Sequence, residues 1–290
     1  MRWPGPRSTD GKLRFAPLVL AAALGVAGLL GVALPARAQG KVEAKYEASL
    51  AGIPVGRGTW TIDITDDQYS AAASGGTAGL LKAFSGGSGS GQAQGRVVAG
   101  TLVPTGYSAT TTSAKKSEVI KMLIALGYVK DYSIEPEPPE DPERIPVTDA
   151  HRRNVLDPMT GSLLRVSGSG DLLTPDACRT GTAIFDGRMR YDIKLDYKRM
   201  EQVKAEKGYR GPALVCSVYF TPIAGYVPDR AALKYLAAQR NIEAWLVPIA
   251  GTRVLVPYRV SIPTPLGQAM LEATEFVTSA GPSKAAAKVN

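Results

Sequence analysis

One histidine and two cysteines stand in 290 residues, and that scarcity excludes several kinds of chemistry. A hydrolase with a histidine base would have only His151 to use, and no Gly-x-Ser-x-Gly elbow accompanies it. Zinc sites usually need several His or Cys ligands, which this chain does not hold. No Cys-x-x-Cys spacing depresses a thiol pKa, so Cys178 and Cys216 do not read as a redox pair. Ser113 and Lys116 fit a loose Ser-x-x-Lys pattern, but the Ser-Asp-Asn and Lys-Thr-Gly partners of penicillin-recognising enzymes are missing. Carboxylates are plentiful, yet pairs such as Asp186 with Asp192 or Glu272 with Glu275 carry no weight without geometry. We expect no enzyme activity, no metal and no cofactor.

Only one long apolar run is present. It spans Phe15 to Leu34, follows Arg2, Arg7, Lys12 and Arg14, and meets Pro35 and Ala36-Arg37-Ala38. A basic start, an apolar stretch and a small-x-small site make an export signal over residues 1–38, cleaved after Ala38. The run is long enough to cross a bilayer, but its Ala and Gly content and the cleavage site favour a signal over an anchor. No cysteine follows to take a lipid, and nothing comparable lies beyond Leu34, so no membrane span is expected after cleavage and the location is the periplasm. Cleavage removes five basic side chains and one acidic, so the charge of +8 falls by four. The remainder is mild and dispersed, which argues against a nucleic-acid partner. In an oxidising compartment the two cysteines should pair. A Cys178–Cys216 bridge would close a loop whose chain entropy is worth about 4 kcal/mol.

What is abundant is β-strand pattern. Trp60, Ile62 and Ile64 alternate with Thr59, Thr61, Asp63 and Thr65, a period of two. Strands are expected over 43–50, 56–65, 69–75, 89–98 and 106–112, with a turn at Asp66-Asp67. Thr77 to Phe84 suggests a helical turn or two that packs Leu80, Leu81 and Phe84 inward. Gly86 to Gly95 lacks the spacing of a phosphate loop and reads as a curved strand. Lys115 to Glu135 mixes a helical stripe with alternation, and the surrounding meander favours strand. The acidic, proline-rich stretch 135–143 reads as extended and solvated. Asp157-Pro158 opens a helix expected to reach Ser167, and Asp229 precedes another to Gln239. Asp186-Gly187 has the composition of a two-residue hairpin turn in which both residues take positive φ. Further strands are expected over 214–221, 243–248, 253–263 and 267–277. The resulting fold class is mostly β: a single antiparallel curved sheet, an open barrel or β-spiral, with two or three short helices. It forms one domain over 39–278, followed by a disordered tail over 279–290.

Several stretches carry a family resemblance: Tyr46 to Gly58, Val103-Pro104, Asp157-Pro158, Phe185 to Tyr191, and Tyr258 to Leu266. Together they resemble the bacterial envelope family called domain of unknown function 3108. The resemblance implies a periplasmic protein without an assigned activity, and it lends no catalytic residue. By organisation alone the chain is also similar to the open, curved sheets of lipoprotein carriers and β-spiral envelope proteins, which is an argument by analogy. Two roles follow. In the first, a lipid, acyl chain or lipoprotein segment lies in a concave apolar cleft lined by Leu80, Leu81, Phe84, Leu163, Leu164, Trp245 and Leu246. In the second, those residues are an ordinary filled core and an envelope protein is met at the surface.

Overall fold

The computed structural model describes residues 39–78, 86–113 and 116–281. The expected signal segment and Leu80, Leu81 and Phe84 lie outside them. The described chain begins with a meander of seven strands: β1 (Gly40–Leu50), β2 (Ile53–Ile64), β3 (Gln68–Thr77), β4 (Gly87–Val98), β5 (Thr101–Ser113), β6 (Ser117–Ala125) and β7 (Tyr128–Glu135). After a crossing segment that holds α1 (Pro158–Gly161) and β8 (Leu164–Arg165) come β9 (Thr180–Phe185), β10 (Arg190–Lys204), β11 (Lys207–Gly208) and β12 (Arg210–Ala224). The chain ends with α2 (Ala231–Ala238), β13 (Ile242–Pro248), β14 (Val254–Thr264) and β15 (Gly267–Ala280). All strands join one sheet in the order β7-β6-β5-β4-β3-β2-β1-β15-β14-β13-β12-β10-β9, with β8 on β14 and β11 on β15. β1 couples the two halves, pairing with β2 on one side and with β15 along its whole length on the other.

In the first half the strands bury one face. Val42, Ala44 and Tyr46 are buried while Lys41, Glu43 and Lys45 point to water, and Ile62 and Ile64 alternate with exposed Thr61 and Asp63. Three of its hairpins turn on Ala51-Gly52, Ala99-Gly100 and Leu126-Gly127, and both residues of each pair have positive φ. That is the geometry whose twist matches the flanking strands. Where β2 and β3 approach closely, a Cβ at Gly58 would lie 2.8 Å from the Ser74 carbonyl oxygen, so only glycine fits.

The second half buries both faces. Along β12, Ala213 and Val215 enter the main core with Tyr258, Phe276 and Val42, while Leu214 and Cys216 enter a second core. Segment 164–178 covers that second core with Leu164, Val166, Leu172, Leu173 and Ala177. The Arg253 guanidinium donates to the carbonyls of Val166, Ser167 and Gly170, which holds the cover down. The expected disulfide is formed: Cys178 and Cys216 are bonded with their Cα atoms 5.6 Å apart, both fully buried.

Several expectations are revised. The helix from Pro158 stops at Gly161, because Leu164 and Arg165 pair with Leu255 and Val254 of β14 instead of continuing the helix. Asp229 does not cap α2; its carboxylate pairs with Lys234, and Arg230 occupies the cap position. Residues 117–135 are strand as expected, divided into two elements, β6 and β7. The Asp186 turn is in place, but only Gly187 has positive φ, at 94°. The Asp186 carboxylate accepts from the Arg188 and Met189 amides and makes a four-residue loop between Phe185 and Arg190. β15 runs to Ala280, past the expected strand end at Val277, because Ala280 pairs with Gly40; residues 282–290 of the expected tail lie outside the described residues.

Candidate functional site

The two edges of the sheet, β7 and β9, approach each other without a continuous ladder between them. Residues 153–156 stitch the seam at one end. The Val155 amide donates to the Gly127 carbonyl (3.1 Å), the Leu156 amide to Ala183 (2.9 Å), and the Phe185 amide to Leu156 (3.0 Å). Further along, side chains bridge the seam: Arg188 of the β9–β10 loop forms a bidentate pair with Glu118 on β6, and the Tyr132 ring meets Phe185 edge-on at 5.4 Å. The Arg188 guanidinium holds the Glu118 carboxyl below the usual carboxylate range.

From this strap the chain passes straight to α1, which contacts β4, β5 and β9. Asp157, fully buried, caps α1 by accepting from the amides of Met159 (3.0 Å) and Thr160 (2.8 Å). Its other oxygen, Oδ2, is buried without a hydrogen-bond partner. Thr160, also buried, meets the Tyr69 hydroxyl at 2.7 Å, and Met159 packs against the main core close to Gly91. Asp186 lies in the same polar interior. Burial pushes both carboxyls above their ordinary range, against the pull of the amides they accept from. Burial likewise pushes the Tyr107 hydroxyl up to about 12, with Asp157 and Asp186 adding to the shift, and it raises Tyr191 further. Each carboxylate accepts from two backbone amides and so serves to cap a turn.

The four expected cleft residues among the described ones fall into two places. Leu163 and Trp245 belong to the main core, and Leu164 and Leu246 to the second. Neighbouring residues of a strand point to opposite faces, so Trp245 and Leu246 cannot line one cleft. The Trp245 indole donates to Glu201 (2.6 Å), with the guanidiniums of Arg199 and Arg259 at 5.4 and 5.0 Å from its ring. That hydrogen bond is the main reason the Glu201 carboxyl sits low. His151 is half-buried and accepts through Nδ1 from the Thr148 amide at 3.1 Å. Among the described residues, no group of three or more His, Cys, Asp or Glu side chains could hold a metal ion.

Hollows of mixed character lie at the surface. One of about 840 Å³ over β3, β4 and β5 is walled entirely by glycine, serine and threonine among the described residues. Another, of about 890 Å³, runs along the seam between β7, the loop that follows it, and Gly187-Arg188. No helix among the described residues is long and apolar enough to cross a membrane.

Residues 45–274 match the family model described as protein of unknown function, DUF3108. The chain belongs to the DUF3108 family. No curated protein matches it. A solved structure similar to this DUF3108 chain is a β-barrel-like protein of domain of unknown function DUF1849 from Brucella abortus. The two share 7% identity over 84% of this chain and 98% of that one, with a TM-score of 0.43.

The seam was not legible in the sequence. Asp157 and Asp186 were recognisable as a cap and a turn, but nothing in their spacing brings them to Tyr107 and Tyr191. Only the return of the chain across the sheet does that.

Proposed function

We propose that this DUF3108 chain is an exported, noncatalytic cell-envelope protein whose barrel is a filled scaffold that meets a protein partner through its outer surface. The observation that carries this reading is the occupation of the concave side by the chain's own plug. Asp157, Thr160 and Leu163 are buried there, Thr160 is hydrogen-bonded to Tyr69, and Met159 covers Gly91. Export is supported by the N-terminal pattern and by the buried Cys178–Cys216 bridge, which persists in oxidising compartments. The carrier role is less well served: of the expected lining residues, Leu163, Leu164, Trp245 and Leu246 belong to packed cores on two faces of the sheet.

Replacing Leu163 or Trp245 by lysine tests this. In a filled core Leu163→Lys buries an unpaired charge, and Trp245→Lys removes a core ring together with its packing, so each should abolish the cooperative unfolding transition. A folded variant with an unchanged melting temperature would contradict the scaffold and return the cleft.

A further inference from the structure

We propose that the free edge of β7 is a docking site for an extended, basic peptide segment of a partner protein, which adds to the sheet as an extra strand at the seam. This rests on the surface-mediated reading above and names its surface and partner class. Three observations converge. First, β7 is the last strand of the sheet, and beyond the strap at Tyr128 no backbone hydrogen bond among the described residues reaches its outer edge from Lys130 to Glu135. An unpaired edge of this kind is a template for strand addition. Second, the edge opens into a groove of about 890 Å³ lined by Tyr132 to Glu135 and by the loop beyond them, so there is space beside the strand. The loop does not fill it, because Ile145 is tied away to Tyr226 and Gly225 by backbone bonds.

Third, carboxylates prevail along this edge, with Lys121 of β6 set opposite Ser133 between two of them. Asp131, Ser133 and Glu135 share one face of β7 by alternation, and Glu137 and Glu140 line the groove from the loop. None of these four carboxylates enters an ion pair among the described residues. The two arginines of the groove are engaged elsewhere, Arg188 with Glu118 and Arg144 with the Gly225 carbonyl. An incoming strand with Lys or Arg at positions i and i+4 would set its cations opposite Asp131 and Glu135, the pairing that favours adjacent strands. Main-chain bonds would supply affinity and the alternate carboxylates the selection.

The probe is a synthetic eight-residue peptide of Thr and Val with Lys at its second and sixth positions. A counterpart carries Glu at both positions, and a third version has a central Pro. Binding to the full mature protein is read by fluorescence anisotropy, and the contact by amide hydrogen exchange. The Lys peptide should bind about tenfold or more tighter than the Glu peptide, the Pro version should not bind, and protection should appear across Lys130 to Glu135. Asp131→Lys with Glu135→Lys, both on an exposed face, should reverse the preference while leaving the melting temperature unchanged. No binding of the Lys peptide, equal binding of the Glu peptide, or protection elsewhere each overturns the proposal. A dimer that protects the same amides assigns the edge to a second copy and also overturns it. None of these failures touches the filled-core reading, which stands or falls on the Leu163 and Trp245 variants.

Discussion

The two halves of this sheet solve the burial problem differently. From β1 to β7 the strands pack one face and leave the other to water, and the glycines of β2 to β4 let neighbouring strands curl tightly. From β12 to β14 successive residues are buried on both faces, as at Ala213 to Cys216 and Val254 to Val256. The second half needs a cover for its outer face, and segment 164–178, tied down by a disulfide, supplies it. A meander with one wet face is held mainly by its ladder and by the plug beneath it. A sheet buried on both sides is held by its cover as well, so removing the cover should cost the second half far more than any equivalent change in the first.

The largest break in that contrast is expected from Cys178→Ser with Cys216→Ser. Opening a bridge of sequence separation 38 should destabilise the protein by about 4 kcal/mol, measured by denaturant unfolding. Hydrogen exchange should rise first in β12 and β13, not in β1 to β5. Next comes Leu214→Ala, which should cost about 3 kcal/mol because the side chain is fully buried in the second core. Thr61→Ala, on the wet face of β2, should stay within about 0.5 kcal/mol. A smaller effect of opposite sign is expected at Leu126, which is 93% exposed with φ at 51°. Asparagine tolerates that conformation better than leucine, so Leu126→Asn should stabilise by about 0.5 to 1 kcal/mol.

The gentlest test leaves the cap of α1 in place and changes only a slope. Asp157 and Asp186 titrate above their ordinary value because they are buried. The stability they contribute is therefore complete below 3.8, the ordinary aspartate value, and is lost as pH rises through the raised folded-state values. Glu201 and Glu118 act in the opposite sense, lowered mainly by the Trp245 and Arg188 hydrogen bonds. Their contribution is present above 4.5, the ordinary glutamate value, and is lost as pH falls through the lowered ones. Asp157→Asn keeps the acceptor for Met159 and Thr160 but removes the buried charge. Stability measured from pH 3.8 upward should then fall less steeply than in the parent protein.

The same contrast explains what could be read from the residues alone. One wet face leaves a period of two in the sequence, so β1 to β5 and their approximate limits were legible from Glu43 onward. Burial on both faces erases that period, which is why β12, Arg210–Ala224, is much longer than the pattern over Leu214 to Thr221 suggested. The helix at Pro158 began where Asp157 placed it, but its end was decided by β14, nearly a hundred residues away in sequence. The Cys178–Cys216 pairing followed from having two cysteines behind an N-terminal pattern that reads as an export signal. The seam, the strap and the free edge of β7 depend on which strands come to lie last, and no local spacing encodes that.

Native mass spectrometry of the protein purified from its source cells, under mild non-reducing conditions and paired with organic extraction, bears most directly on whether the barrel is filled. A bare chain mass, about 2 Da light for the disulfide, with no extractable lipid is the expected result. A near-stoichiometric acyl or lipid mass released on extraction would contradict it and restore a ligand to the concave side of the sheet.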